Sequence, residues 1–223
     1  MNRKCFARLI WSGAAGLALA LNAGCGVLFP KAGQQPSFYT LDSAPPAPHA
    51  ATVGASRVLI SAPTLIVNPP GAASGFDSQH IIYVRGSHTH EYFSHSEWAD
   101  TPARMLAPLI VAAIENGGVF HAVVLTPSVA AGEIRLDTEI MRLEQNFVDQ
   151  PSRVRFTLRA YVVDDATRQV IAWREFDETV AATSEDPHGG VIAANRAVQV
   201  VMERLASFCT VAAANWQPPT PKR

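Results

Sequence analysis

Apolar positions between residues 57 and 216 follow two periods, and each period marks a kind of element. Alternation with a period of two, the spacing of a half-buried strand, runs through Ile134, Leu136, Thr138 and Ile140. There the phase changes, and the apolar positions become Met141, Leu143 and Phe147. A slip of one residue would turn every later side chain to the other face, so a long strand that keeps one face buried must absorb it in a β-bulge. A second alternating run, Val154, Phe156, Leu158, Ala160 and Val162, carries Arg153, Arg155, Thr157 and Arg159 on its other face. Across an antiparallel pair these arginines can meet Glu133, Asp137 and Glu139. Asp164-Asp165-Ala166-Thr167-Arg168 has turn chemistry and leads into a third run at 169–180. Shorter strands are predicted at 57–60 and 64–67, separated by Pro63, at 79–85 and 91–95 around a turn at Gly86-Ser87, and at 119–125.

Spacings of three and four replace alternation in two places. Met105, Leu106, Leu109, Ile110, Ala113 and Ile114 form one helical stripe; Val191, Ala194, Val198, Val201, Met202, Leu205, Phe208 and Cys209 form the other. The first helix starts at Asp100-Thr101-Pro102, with Thr101 as N-cap and Pro102 in the first turn, and stops at Asn116-Gly117-Gly118. Pro108 lies inside it and is expected to cost a hydrogen bond and bend it. Asp186-Pro187 opens the second. The pattern predicts an α/β (α+β) domain: a mixed, largely antiparallel sheet with two amphipathic helices packed on one face. The domain spans 38–216, with 42–56 irregular and a proline-containing tail at 217–223 expected to be disordered. No internal repeat is visible.

The start of the chain reads differently. Arg3, Lys4 and Arg8 precede a short apolar stretch that ends Leu21-Asn22-Ala23-Gly24-Cys25, the order of an export signal. The stretch is short and interrupted for a span of about 20 apolar residues. The ending resembles a bacterial lipobox, although Leu21 stands four places before the cysteine rather than three. That resemblance implies cleavage between Gly24 and Cys25, lipidation of Cys25 and acylation of the new amino terminus. Residues 1–24 are then a lipoprotein signal peptide and 25–37 a lipidated tether. Gly26 stands where lipoproteins retained in the enterobacterial inner membrane carry Asp, which implies the outer membrane, periplasm-facing. Acyl chains contribute about 0.8 kcal/mol per buried methylene, so the outer-membrane bilayer is the first expected partner. Cys5 leaves with the signal and Cys25 is lipidated, so Cys209 has no intrachain partner and reads as a small buried group. The formal charge of −1 becomes more negative once the three basic signal residues are gone, which excludes a nucleic-acid footprint.

Little here points to catalysis or a cofactor. Phosphate-loop, dinucleotide and nucleophile-elbow patterns are absent, so no catalytic residue is assigned and a non-enzyme is expected. His88 and His90, spaced to share one face of a strand, and nearby His95 are weak metal candidates; without cysteines or well-placed carboxylates they read as a solvated hairpin tip, and no metal is assigned. The aromatics Phe38, Tyr39, Tyr92, Phe93 and Trp98, with Leu41, are candidates for a partner-binding surface; the plain alternative is that they pack in the core.

Taken in order, Cys25, the run Phe38-Tyr39-Thr40-Leu41, the segment Tyr92…Trp98-Ala99-Asp100-Thr101-Pro102 before Met105-Leu106, and the alanine-rich last helix with Leu205-Ala206 resemble the ABC-type transport auxiliary lipoprotein family of the PqiC/YmbA type. The family often has an arginine near the tryptophan; here Ser96-Glu97 precede it. The resemblance implies a non-enzymatic lipoprotein of an MCE-domain lipid transport system, with an MCE-domain protein as partner and a homo-oligomer as one arrangement. Two other readings stay open: an activator of a cell-wall synthase, and a lipid carrier with its own acyl pocket. A tether of about 12 residues spans at most about 40 Å, which favours a partner that crosses the periplasm itself.

Overall fold

The structure, a computed structural model, describes residues 35–42 and 62–218. The expected strand at 57–60, most of the irregular segment 42–56, the signal, Cys25 and residues 219–223 lie outside the described residues. The described residues form β1 (Ser37–Tyr39), β2 (Thr64–Val67), β3 (Gly71–Ala72), β4 (His80–Val84), β5 (Glu91–Trp98), α1 (Pro102–Glu115), β6 (Ala122–Leu125), β7 (Ile134–Asn146), β8 (Arg153–Asp164), β9 (Val170–Ala181) and α2 (Pro187–Asn215).

The sheet is organised around β7. One edge of this 13-residue strand pairs with β8 along its whole length, antiparallel. The other edge is tiled by three short parallel strands: β2 against 134–136, β3 against 139–140 and β4 against 144–146. Outward from these, β6 adds to β2, β5 and then β1 add to β4, and β9 adds to β8. The long pairings, β7–β8 and β8–β9, are antiparallel, so the sheet is mostly antiparallel, as expected.

The phase change in β7 is a bulge. Ile140 pairs with Leu158 and Arg142 with Thr157, so Met141 has no partner on β8. Ile134, Leu136, Ile140 and Leu143 are therefore all buried, although Ile134 and Leu143 are an odd number of residues apart. The arginines of β8 bind differently from expectation. Arg155 donates two 2.8 Å hydrogen bonds to Asp177, which also accepts from Thr157 Oγ1, and Arg159 pairs with Glu175 at 2.8 Å. Both partners lie on β9. Two of the acids on the β7 side are already engaged, Asp137 with Arg135 and Asn68 and Glu133 with the Thr64 N–H, while Glu139 lies in register with Arg159, which turns to Glu175 instead. The Arg155 hydrogen bond holds the Asp177 carboxyl below its ordinary range.

α1 begins where predicted, but Thr101 caps it by position only, with no side-chain hydrogen bond. Asp100 supplies the polar contacts instead, accepting from the Thr101 N–H at 2.8 Å and pairing with Arg104 at 3.2 Å. The helix continues through Pro108. Pro108 sits on the exposed side, where water can satisfy the carbonyl it frees. Gly118 leaves the helix at φ +63°, the left-handed conformation that glycine supplies. α1 packs on α2, and α2 covers β8 and β9. Leu65, Leu106, Ile110, Ile140, Phe156 and Leu205 are fully buried in the shared core. Cys209 joins them, and burial pushes its thiol up to about 12.

Asp186 caps α2 as the sequence predicts: its Oδ1 accepts from the Gly189 N–H at 2.8 Å and from Ser184 Oγ at 2.8 Å. Asp186→Ala is expected to cost about 1 kcal/mol in urea unfolding at neutral pH. The Gly189 hydrogen bond lowers the carboxyl's pKa in the folded chain. The contribution is therefore complete above the ordinary carboxylate pKa of about 4 and is lost as pH falls through the lowered folded value. Wild type and variant should thus converge in stability only in acid.

Candidate docking surface

β1 adds to the domain rather than to the tether. It pairs in parallel with β5, placing Ser37 beside Ser96, Phe38 beside Glu97 and Tyr39 beside Trp98. Neighbouring side chains on a strand point to opposite faces, so this register sorts the aromatic candidates. Trp98 is buried in the core, at 3% exposed. Tyr39 is half-buried, its ring 6.3 Å from His188 of α2. The chain after β1 is held by both helices: the Leu41 N–H points at Met105 Sδ, 3.4 Å away in α1, the Asp42 N–H donates to Asn195 Oδ1 at 2.8 Å, and Asn195 Nδ2 donates back to the Thr40 carbonyl at 3.1 Å. Leu41 is buried beneath these contacts. Trp98 and Leu41 are therefore core residues, which corrects their assignment to a partner surface.

Phe38 and Tyr92 go the other way, at 62% and 56% exposed. Glu97 and His80 join them. Glu97 is the cross-strand partner of Phe38 on β1 and of His80 on β4. The His80 ring stacks on Tyr92, with centroids 4.3 Å apart and planes inclined by 12°. The result is an outward-facing patch of two exposed aromatics, an imidazole and a carboxylate. Tyr92 and Trp98 have the same parity yet differ in exposure because β5 is irregular: a step of two along β4, from His80 to Ile82, matches a step of five along β5, from Glu97 to Tyr92.

At the far end of β4, Phe93, a further aromatic candidate of the sequence, packs with two aromatics that the sequence did not single out for a surface, Tyr83 and Phe147. Tyr83 and Phe93 lie 4.5 Å apart, and the Phe147 ring stands edge-on to Tyr83 at 5.7 Å. Arg85 lies 4.9 Å above the Tyr83 ring. Tyr83 donates its hydroxyl to Glu91 at 2.9 Å, which raises its pKa.

The histidines do not form a site. His88 and His90 precede β5 rather than lying on a strand, and His88 has φ +67°. His90 packs 5.5 Å from Phe76 and lies 3.6 Å from Glu144, while His95 is exposed within β5. Among the described residues, no three His, Cys, Asp or Glu side chains are grouped to hold a metal. A small cavity lined by Ile81, Trp98, Leu143, Gln145, Val154 and Gly190 holds about 10 Å³, room for a water molecule rather than an acyl chain.

A crystal structure of a Xanthomonas campestris protein of family DUF330 superposes with a TM-score of 0.63 at 22% identity, covering 68% of this chain and 86% of that one. An uncharacterized protein superposes with a TM-score of 0.60 at 11% identity, covering 78% and 99%. At these identities the likeness establishes the fold. No curated protein matches the sequence. The family described as ABC-type transport auxiliary lipoprotein component matches residues 39–206, from β1 to within α2. Of β1 the match takes in only Tyr39, but it includes all of β5, α1 and most of α2, three quarters of the chain in all, and the chain belongs to the ABC-type transport auxiliary lipoprotein family.

Proposed function

We propose that this protein is the outer-membrane lipoprotein subunit of an MCE-domain lipid transport system, lipidated at Cys25 and facing the periplasm. It docks the periplasmic MCE tunnel at that membrane and carries out no chemistry itself. Family membership supports the transport role, and the Phe38–His80–Tyr92 patch supports docking. Buried aromatics anchor interfaces because they bring large rigid surface at little entropic cost. Here two of them stand exposed on a strand whose backbone is fixed by its neighbours.

The anchor is tested by metabolic labelling with palmitate and by membrane fractionation. Wild type should be labelled and found with the outer membrane. Cys25→Ala should lose the label and be released to the soluble fraction on lysis. A Cys25→Ala variant that stays labelled and membrane-bound would refute the anchor. Wild type in the inner-membrane fraction would refute the location.

A further inference from the structure

Residues 37–42 join the candidate anchor to the domain, and they are held lightly except at one point. β1 ends the sheet: it pairs with β5, and no strand covers its other edge among the described residues. It is three residues long, shorter than the usual five or six. Of residues 35–42 only Leu41 is buried. The point of attachment is Asn195, in the interior of α2. Asparagine is a poor helix former, because its carboxamide competes for backbone groups. Here Oδ1 accepts the Asp42 N–H at 2.8 Å and Nδ2 donates to the Thr40 carbonyl at 3.1 Å. The carboxamide thus stands in for the peptide group of a neighbouring strand, bonding the backbone on both sides of Leu41.

A segment with one buried apolar side chain and backbone bonds near solvent opens at lower cost than the core it rests on. We infer that residues 37–42 form a strap, fastened by Asn195, that opens while the rest of the sheet stays folded. Opening has two consequences. It withdraws Phe38 from the Phe38–Tyr92 patch, so the docking surface is complete only with the strap closed. It also moves the fixed end of the leash. From Cys25 to β1 the chain reaches at most about 40 Å; from Cys25 to Thr64, at the start of β2, about 39 residues reach at most about 130 Å. The closed strap favours docking and the open one favours reach. Both consequences rest on the docking role and the lipidation of Cys25 proposed above; the opening itself does not.

Amide hydrogen exchange, followed by NMR on the full mature chain in detergent, tests the strap. The Ala99 N–H is the main reporter, because it bonds the Tyr39 carbonyl at 2.7 Å rather than Asn195; the Leu41 and Asp42 amides support it. Amides in the β7–β8 ladder report the core. The Ala99 amide should exchange at least a hundredfold faster than the β7 amides. In Asn195→Ala its exchange should rise at least tenfold further, with β7 unchanged. Exchange of Ala99 together with β7 would overturn the inference, since the segment would then be a fixed part of the sheet. An Ala99 rate unmoved by Asn195→Ala would also overturn it, since the clamp would then hold nothing. Capture of the MCE-domain partner separates this inference from the docking role. If the exchange results hold and both Asn195→Ala and Phe38→Ser capture normally, docking at this patch fails and the strap stands. Capture lost in Phe38→Ser but unchanged in Asn195→Ala would break the link between strap and docking.

Discussion

Alanine at Gly190 is expected to lower the unfolding free energy by about 1–3 kcal/mol, although Gly→Ala inside a helix ordinarily raises it by about 0.5–1 kcal/mol. The inversion follows from where the first turn of α2 lies. A Cβ on Gly190 would overlap Oε1 of Gln145, and one on Gly189 would overlap the backbone of Ser184. Gln145 cannot easily yield: it is 2% exposed on β7 and its Nε2 donates to the buried Ser152 Oγ at 2.9 Å. Ser184 belongs to the same tight turn that presents Asp186 as the cap. The two glycines therefore let the helix approach the sheet closely. Urea unfolding measures the effect. Gly86→Ala is the control, since nothing lies within 4 Å of its added methyl. A Gly190→Ala variant as stable as wild type would show that the helix start does not sit against β7.

The second large effect separates stability from function within one pair of strands. Trp98→Ala should cost about 3–5 kcal/mol, because it empties a buried site beneath β5 and α2. The double substitution Phe38→Ser with Tyr92→Ser should change stability by only about 0.5 kcal/mol, in line with other exposed positions. It should nevertheless weaken capture of the MCE-domain partner at least tenfold, a loss of about 1.4 kcal/mol. Thermal unfolding and pull-down on the same samples read both quantities. A double variant that unfolds like Trp98→Ala would make Phe38 and Tyr92 structural; one that folds and captures normally would remove them from the docking surface.

Much of this arrangement was legible from periodicity, because in β7, β8, α1 and α2 burial on one face leaves a repeating mark. The bulge at Met141 could be read because β7 is long enough to show both phases. Alternation within 38–41 also contained the split between outward Phe38 and inward Tyr39. Tyr92 and Trp98 could not be separated this way, since the irregularity in β5 depends on how β4 pairs with it. The choice of Arg155 and Arg159 for β9 over β7 was equally hidden: β7 offers Glu144 and Glu139 in register and β9 offers Asp177 and Glu175, and only the side-chain geometry decides between them. The Tyr161–Trp173 contact was hidden for a similar reason, because a cross-strand pair exists only once the register is fixed.

Photocrosslinking in living cells tests docking most directly. A photoreactive amino acid replaces Phe38 in one strain and exposed Val148 in another, and the crosslinked products are identified by mass spectrometry. The account predicts that position 38 captures an MCE-domain protein and that position 148 does not. If position 38 captures only other copies of this chain, or nothing, the patch is not the docking surface and the central claim fails.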